Sequence, residues 1–329
     1  MLKRDFVKRL KESRLLLPPL ADYTDYPFRT VLAEFNPPFM CTEMVSPEAL
    51  LRGNPKTADM LKIVQGKHLN GAQLVGAIPE SMGKAAALLE EMGFDYIDIN
   101  MGCTVNAVAN TGAGISLMGD EEKAVKVTVS VMDAVGIPVT CKMRLGVTEG
   151  NKNAARLASM LDETGISAVT VHGRTGETKF GLNVDYDGIK SVVESVEIPV
   201  IANGSVYTGS DAIAMFEKTG ALGVMPGRGL IGNPWIVPDI QHTLNSKLFE
   251  APSLEERKEV FLTHLGYLCE FYGDRTGVIK ARKIIGKYFA GSVNIGRLKL
   301  QSIKTGSKAQ MSALLDGLMA QEGRVFYKG

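Results

Sequence analysis

The sequence predicts a (β/α)₈ (TIM) barrel followed by a small C-terminal helical domain. Eight short apolar runs alternate with helical segments over about 235 residues, which is the size and rhythm of such a barrel. The alternation stops after Trp235, and from Ser253 onward only helical periodicity remains. An open doubly wound sheet is the alternative, but no Gly-x-Gly-x-x-Gly follows the first apolar run. We therefore expect a barrel over residues 1–245 and a helical domain over residues 246–329.

Five of the predicted strands are preceded by a residue that suits the start of a strand. Gly93, Gly165 and Gly220 follow helical segments and suit the left-handed position just past a helix end. Two Ile-Pro steps, at residues 137–138 and 198–199, place proline where a strand needs no amide donor. The predicted strands are residues 15–20, 38–43, 71–76, 95–100, 139–143, 168–172, 200–203 and 222–226.

The segments between these strands carry apolar residues at helical spacing. Residues 81–92, for example, place Met82, Ala85 and Leu89 on one face. Further helices are predicted to begin at side chains that can cap a helix, namely Asp120, Asn151 and Ser210 with Asp211.

The composition is that of an ordinary globular protein. Of the 329 residues, 45% are hydrophobic and 22% are charged, and the net charge is +1 at pH 7. The N-terminus has no apolar signal core, and no apolar stretch approaches the roughly 18 residues that cross a bilayer. We expect a cytoplasmic monomer with no contact to a membrane.

The four cysteines, Cys41, Cys103, Cys141 and Cys269, lie far apart and show no Cys-x-x-Cys spacing. This pattern argues against zinc ribbons, iron–sulfur clusters and a disulfide framework. We therefore expect no metal site.

Cys103 lies on a glycine-punctuated loop directly after the strand that ends at Asn100. A nucleophilic cysteine needs a neighbouring base that lowers its pKa, and the sequence places none beside it. A general acid needs a proton at neutral pH, which an ordinary thiol with a pKa of about 8.5 retains. The local sequence favours the acid, although folding can bring a base to the loop.

Polar residues stand at the ends of the other predicted strands, where a barrel builds its active site. Glycine-rich turns follow the last two strands, at residues 202–205 and 226–229, and such turns let backbone amides approach a phosphate. With His172 and Lys142 on neighbouring strands, they favour a phosphorylated cofactor. Lys142 can form a Schiff base, or it can stabilise an anion such as a reduced flavin. The Gln73 amide can bind the edge of the same ring.

A stretch without any acidic residue runs from Arg275 to Leu315. A basic run is usually a solvated helix face. Here the charge asymmetry within an otherwise balanced chain favours an anionic polymer as partner. The basic residues of the stretch are Arg275, Lys280, Arg282, Lys283, Lys287, Arg297, Lys299, Lys304 and Lys308.

These features together resemble the flavin-dependent tRNA-dihydrouridine synthases. The opening segment, Leu-Pro-Pro-Leu-Ala-Asp-Tyr-Thr-Asp-Tyr-Pro-Phe-Arg, is similar to the family's first motif, and Asn-Met-Gly-Cys is similar to its catalytic loop. Later motifs follow in the family's order. The matching stretches are residues 17–29, 100–103, 141–146, 171–175, 202–204 and 227–235.

The resemblance implies an FMN cofactor, reduced by NADPH or NADH, that passes hydride to C6 of a uracil base in tRNA or another folded RNA. It implies that Cys103 protonates C5, which yields 5,6-dihydrouridine. The implied FMN residues are Pro19, Leu20, Ala21, Gln73, Lys142, His172, Asn203, Gly204, Ser205, Gly227 and Arg228. RNA contacts are expected at Asn100, Arg144, Arg174, Lys280, Arg282, Lys283, Lys287, Arg297 and Lys299.

The sequence departs from the family pattern in the catalytic loop. Thr104 replaces the usual proline after the cysteine, and Ala107 replaces the usual lysine. These changes remove a cation from beside the substrate and loosen the loop. Ser205 and Ile284 replace an acidic residue and a histidine that are common in later motifs.

Two other functions are compatible with the sequence. An FMN barrel reductase acting on a free pyrimidine or dihydroorotate also pairs the cofactor with a loop cysteine or serine, but it needs no basic helical domain. A non-catalytic RNA-binding or folding factor is compatible with the altered loop.

Overall fold

Seven parallel strands form one sheet in which every strand pairs with its neighbours in chain order. The computed structural model describes residues 1–178, 183–292 and 294–325, with side chains described through residue 317. The strands are β1 (Phe39–Val45), β2 (Leu69–Leu74), β3 (Tyr96–Met101), β4 (Val139–Arg144), β5 (Ala168–His172), β6 (Val200–Asn203) and β7 (Gly223–Met225).

Helices connect successive strands and continue beyond the last one. They are α1 (Lys3–Ser13), α2 (Tyr26–Ala33), α3 (Pro47–Leu51), α4 (Pro55–Met60), α5 (Pro79–Glu91), α6 (Asn106–Ala109), α7 (Ile115–Met118), α8 (Glu121–Ala134), α9 (Ala154–Glu163), α10 (Tyr186–Ser195), α11 (Gly209–Thr219), α12 (Ile236–Leu244), α13 (Leu254–Tyr272), α14 (Asp274–Tyr288), α15 (Ile295–Ser302) and α16 (Lys308–Val325). A 3₁₀ turn, Arg228–Leu230, follows β7. No helix in these described ranges is both long and apolar enough to cross a membrane.

Seven of the eight predicted strands are present, and both ends of each lie within two residues of the predicted bounds. The prediction for residues 15–20 is wrong, since that segment forms a single bridge, between Leu15 and Val224. Pro18 and Pro19 follow directly, and a proline has no amide hydrogen to donate to a ladder.

The same segment nevertheless contacts both edges of the sheet. The Leu16 amide donates to the Val224 carbonyl at 3.1 Å, and the Leu17 amide donates to the Phe39 carbonyl at 3.2 Å. Since Val224 is in β7 and Phe39 is in β1, the two edge strands lie on either side of one short segment. The sheet is therefore strongly curled.

Two predicted helix starts are corrected by the structure. Helix α9 begins at Ala154 instead of Asn151, and residue 151 forms a bridge with Thr148 in the preceding loop. Helix α11 is capped by Thr208, while Asp211 completes the capping box from inside the helix. Asp120 caps α8 as predicted, because its side chain accepts the Lys123 amide.

Helix α1 covers the amino-terminal end of the sheet. Its Phe6 is fully buried and packs against Phe39 and Tyr96, with ring centroids 5.0 and 5.3 Å away. The Tyr96 ring fills the space above Gly71, where an added Cβ would lie 2.1 Å from the ring. Side chains thus fill the interior of the sheet at its amino-terminal end.

The C-terminal helices α13 to α16 form a second hydrophobic cluster. Phe261, Leu265 and Tyr288 lie at its centre, and Leu20 and Trp235 from the sheet loops pack against it. Because Leu20 directly follows the segment between the two edge strands, the helices rest on the carboxyl end of the sheet.

One buried carboxylate joins the two hydrophobic clusters. Asp25, which is 4% exposed, caps α2 by accepting the Phe28 amide at 3.1 Å. Its other oxygen accepts from the Tyr272 hydroxyl at 3.0 Å and pairs with Lys280 at 3.3 Å. Lys280 was predicted to bind RNA, but its positive charge is partly neutralised by this ion pair within the chain.

Replacing Asp25 with alanine should remove the cap and leave Lys280 without its partner. We expect Asp25→Ala to lower the free energy of unfolding by about 2–4 kcal/mol in urea titrations. Tyr272→Phe, which removes one hydroxyl, is the matched control and should cost about 1 kcal/mol. An Asp25→Ala protein as stable as Tyr272→Phe would contradict this account.

Candidate functional site

An open cleft lies at the carboxyl ends of β4 to β7, beside the segment that ends at Leu20. It contains about 690 Å³ of space, counting the part that is open to solvent. The described residues that line it are Pro18, Pro19, Leu20, Lys142, Arg144, His172, Arg174, Asn203, Gly204, Ser205, Val206, Tyr207, Gly227 and Arg228.

The charges in the cleft are all positive. Four basic side chains line it, namely Lys142, Arg144, Arg174 and Arg228, and none of the described lining residues is acidic. Arg144 and Arg174 are 7% and 4% exposed. Burial, with a further contribution from neighbouring cations, lowers the pKa of both guanidinium groups. Such a concentration of positive charge is typical of an anion site.

His172 lies among these cations and is neutral. Burial and the nearby charges of Lys142, Arg144, Arg174 and Arg228 lower its pKa to about 2. The Arg174 guanidinium lies 3.1 Å from His172 Nε2 and can only donate, so the imidazole proton resides on Nδ1. The imidazole is therefore an acceptor toward Arg174 and carries no charge near neutral pH.

The turn after β6 brings backbone amides to the edge of the cleft. Gly204 has a φ of +135°, and an added Cβ would lie 3.0 Å from Val184 and 3.4 Å from His172. Ser205 follows with a φ of +52°, unusual for a residue with a side chain, and its hydroxyl accepts from Arg174 at 3.0 Å. The backbone of Gly204 and Ser205, and that of Gly227 in the turn after β7, lines the edge of the cleft.

A layer of polar side chains lies inside the sheet below the cleft. Neighbouring strands bring these residues into register, with Gln73 beside Asp98 and Asn100 beside Lys142. Asp98 accepts from Gln73 and from Thr140, each at 2.7 Å. Burial raises the pKa of Asp98 to about 6, although these hydrogen bonds and the charge of Lys142 favour the carboxylate.

The pKa of Lys142 differs from that of an ordinary lysine. Burial lowers its pKa to about 8, partly offset by the attraction of Asp98. No described residue forms a hydrogen bond or an ion pair with its ammonium group. A lysine of this kind is a cation at pH 7 that responds to the charge of a ligand.

The Cys103 loop is held on three sides. The Asn100 side chain accepts the amides of Gly102 and Cys103 at 3.0 and 2.9 Å. Arg144, from the cleft, donates to the Gly102 carbonyl at 2.9 Å. Gly114 closes the third side, because an added Cβ would lie 2.7 Å from the Cys103 carbonyl oxygen. The cysteine therefore lies beside the cleft, and its side chain is half-buried.

The structure brings together nine of the eleven residues predicted to bind the cofactor. Ala21 is exposed and does not line the cleft. Gln73 is 1% exposed, and its amide is already bonded to Asp98 and Asn100. The nine that line the cleft are Pro19, Leu20, Lys142, His172, Asn203, Gly204, Ser205, Gly227 and Arg228.

The residues predicted to contact RNA are distributed over the cleft and the C-terminal helices. Asn100, Arg144 and Arg174 are at least nine-tenths buried and lie in or beside the cleft. Arg282 is half-buried and donates to the Thr305 carbonyl. The four that are exposed and form no ion pair within the described part of the chain are Lys283, Lys287, Arg297 and Lys299.

Several site residues were missed from the sequence. Val206 and Tyr207 line the cleft, but they directly follow a glycine turn and look like ordinary loop residues. Asp98 and Thr140 form the buried polar layer. Asp98 and Asn100 alternate with apolar residues in β3, and alternate residues of a strand point to the same side of the sheet. This pattern could have predicted that Asp98 lies in the same polar layer as Asn100.

The depressed pKa of Lys142 predicts unusual reactivity toward an acylating reagent. At pH 8 roughly half of Lys142 is neutral, compared with well under 1% of an ordinary lysine. Peptide mass spectrometry after brief treatment of the cofactor-free protein with acetic anhydride should show labelling of residue 142 that rises through about pH 8. Labelling that rises only near pH 10 would contradict the assignment. Lys142→Arg should abolish this labelled peptide and leave the others unchanged.

Comparison with known proteins identifies the family. The chain matches the family described as "Dihydrouridine synthase (Dus)" over residues 16–316. A protein of Rickettsia bellii named "Probable tRNA-dihydrouridine synthase" is 38% identical over 284 residues, which is 86% of this chain and 87% of that protein. The "tRNA-dihydrouridine synthase B" of Pseudomonas putida is 38% identical over 280 residues, covering 84% of this chain and 83% of that protein.

Solved structures support the fold alone. The structure of morphinone reductase in complex with tetrahydroNAD superposes with a TM-score of 0.51 and 15% sequence identity, covering 73% of this chain and 88% of that one. The family model spans most of the sequence and the curated relatives are similar in length. The chain therefore belongs to the dihydrouridine synthase family.

Proposed function

We propose that this chain binds FMN in the cleft and reduces uridines of tRNA to 5,6-dihydrouridine in the cytoplasm, with NADPH or NADH as the source of electrons. The observation that carries the proposal is a cleft lined by four cations and no acid among its described residues, next to a loop cysteine. Family membership supplies the reaction class.

The lining residues fit a phosphorylated flavin. Arg174, Arg228 and the backbone of the two glycine turns, at Gly204–Ser205 and Gly227, lie where a phosphate can bind. Lys142 lies near the end of β4, and its ammonium group suits the electron-rich ring of the cofactor. When bound and reduced, FMN supplies the hydride that the uracil ring receives at C6.

Cys103 is the proposed proton donor. The uracil C5–C6 double bond is reduced when C6 gains a hydride and C5 gains the thiol proton, which leaves a thiolate on Cys103. Lys142 and Arg144 both interact electrostatically with Cys103, and their positive charges stabilise that thiolate. His172 is the weaker candidate, because its low pKa leaves no imidazolium proton to give at neutral pH.

The C-terminal helices supply a surface for the RNA. Lys283 and Lys287 on α14 and Arg297 and Lys299 on α15 are exposed and unpaired by any described acidic group. Leu20 lines the cleft and also packs against the cluster of these helices, so the basic surface borders the site. Contacts to phosphates would hold the RNA while the target base leaves its stack and enters the cleft.

The proposal also extends to the architecture. Residues 15–17 take the place of the eighth strand of a (β/α)₈ barrel, which is supported by their hydrogen bonds to β1 and β7. Helices α13 to α16, with a hydrophobic cluster of their own, form a separate RNA-binding domain.

The role of Cys103 is tested with tRNA that lacks dihydrouridine. We expect Cys103→Ala to lower the rate of dihydrouridine formation by about 10²–10⁴-fold, the usual contribution of a general acid. Mass spectrometry of the RNA measures the product, and free uridine is the comparison substrate.

Flavin absorbance is the control in this experiment. Cys103→Ala should retain the wild-type flavin content, because the Cys103 side chain does not line the cleft. A wild-type protein that is colourless and cannot be reconstituted with FMN would refute the proposed function. A fully active Cys103→Ala protein would refute only the assignment of the proton donor.

A further inference from the structure

A directed row of hydrogen bonds connects the buried carboxylate of Asp98 to the Cys103 loop. Asn100 Oδ1 accepts the amides of Gly102 and Cys103, which fixes the oxygen end of this side chain. The nitrogen end must then point the other way, and it donates to Gln73 Oε1 at 2.8 Å. Two backbone amides thus decide how the Asn100 side chain is turned.

The orientation of Gln73 follows from that of Asn100. Since the Gln73 oxygen accepts from Asn100, its nitrogen faces the opposite direction and donates to Asp98 Oδ2 at 2.7 Å. The other oxygen of Asp98 accepts from the Thr140 hydroxyl at 2.7 Å. A side-chain amide has one donor end and one acceptor end, so each member of the row determines the next.

Burial prevents water from replacing a lost member of this row. Gln73 is 1% exposed, Asp98 5% and Asn100 9%. A buried polar row that is only partly satisfied is less stable than one that is complete. The hydrogen bonds that hold the Cys103 loop therefore depend on the acceptor at position 98, although two side chains lie between them.

We propose that Asp98 is a positioning residue for Cys103, because it presents an acceptor to Gln73 and so completes the one polarity of the row in which Asn100 can hold both loop amides. The purpose assigned to that orientation rests on the proposed function. The row itself involves only side chains and backbone amides of this chain, so it can be tested without cofactor or substrate.

An exchange of two residues should reverse the row without breaking it. In Asn100→Asp, one oxygen still accepts the loop amides, but Gln73 must turn its nitrogen toward residue 100. The Gln73 oxygen then faces an oxygen of Asp98, and neither group can donate. Adding Asp98→Asn restores a donor there, while the oxygen at position 98 still accepts from Thr140. Every hydrogen bond of the wild type has a counterpart in the double variant.

The test compares the full-length wild type, D98N, N100D and D98N/N100D at pH 8, where Asp98 is ionised. Two quantities are measured: the melting temperature and the rate at which iodoacetamide alkylates Cys103. The alkylation is selective because the other three cysteines are buried. We expect N100D to lower the melting temperature by about 4–8 °C and to accelerate alkylation about fivefold or more.

Adding D98N to N100D should bring both quantities back to the values of D98N alone. D98N by itself is expected to change the alkylation rate little, because the Thr140 hydroxyl can accept from an amide and donate to the Ile97 carbonyl, 3.5 Å away. Its melting temperature is expected to fall, because Lys142 loses the carboxylate that attracts it, so D98N alone is the reference for the double variant. The inference is overturned if N100D has no effect, or if the double variant is alkylated faster or melts lower than D98N alone. A residue with only a structural role would not rescue a second substitution in this way.

A second pair of variants decides the matter if the proteins carrying N100D do not fold. Gln73→Glu still accepts from Asn100 but places a carboxylate oxygen against Asp98, and D98N again supplies the missing donor. Rescue of Q73E by D98N in both measurements supports the inference, whereas equal loss with and without D98N contradicts it. Neither measurement needs flavin or activity, so both rescues are expected even if the wild-type protein has neither. Failure of the proposed function can therefore be distinguished from failure of this inference.

Discussion

The polar layer inside the sheet depends on one buried carboxylate among several cations. Asp98 attracts Lys142 and accepts hydrogen bonds from two strands, so it supports both the cation and the loop that lie above it. Without it, Lys142 would be a charge within the sheet with no nearby counter-charge. The register of the parallel strands makes this possible, because it places Gln73, Asp98 and Thr140 side by side. The pairing of three neighbouring strands thus fixes the relative positions of these polar side chains.

The two ends of the sheet differ in structure. The interior at the amino-terminal end is filled by aromatic side chains around Phe6. The carboxyl end carries the cleft, the cysteine loop and the contact to the C-terminal helices. Since Leu20 belongs both to the cleft lining and to the cluster of these helices, binding of RNA and chemistry on its base would take place at one border. Arg144 links the cleft to the loop, because it lines the first and donates to the second.

Much of this arrangement was predictable from the sequence, and the exceptions have physical reasons. Seven strands were predicted from short apolar runs, five of which follow a glycine or an Ile-Pro step. Residues 15–20 are also apolar, but Pro18 and Pro19 have no amide hydrogen to donate to a ladder, and the segment forms only one bridge. The cleft residues were found because they stand at strand ends. Lys280 was misleading, since charge along the sequence does not reveal a partner such as Asp25, which lies 255 residues earlier. The role of Asp98 was not visible either, because it depends on hydrogen bonds between strands.

The central claim is that the positively charged cleft and the cysteine loop together reduce uridines in tRNA. The most direct measurement is quantitative mass spectrometry of tRNA from a strain in which only this gene has been deleted. The account predicts that dihydrouridine disappears from at least one tRNA position and returns when the wild-type gene is restored. Unchanged dihydrouridine at every position would contradict it.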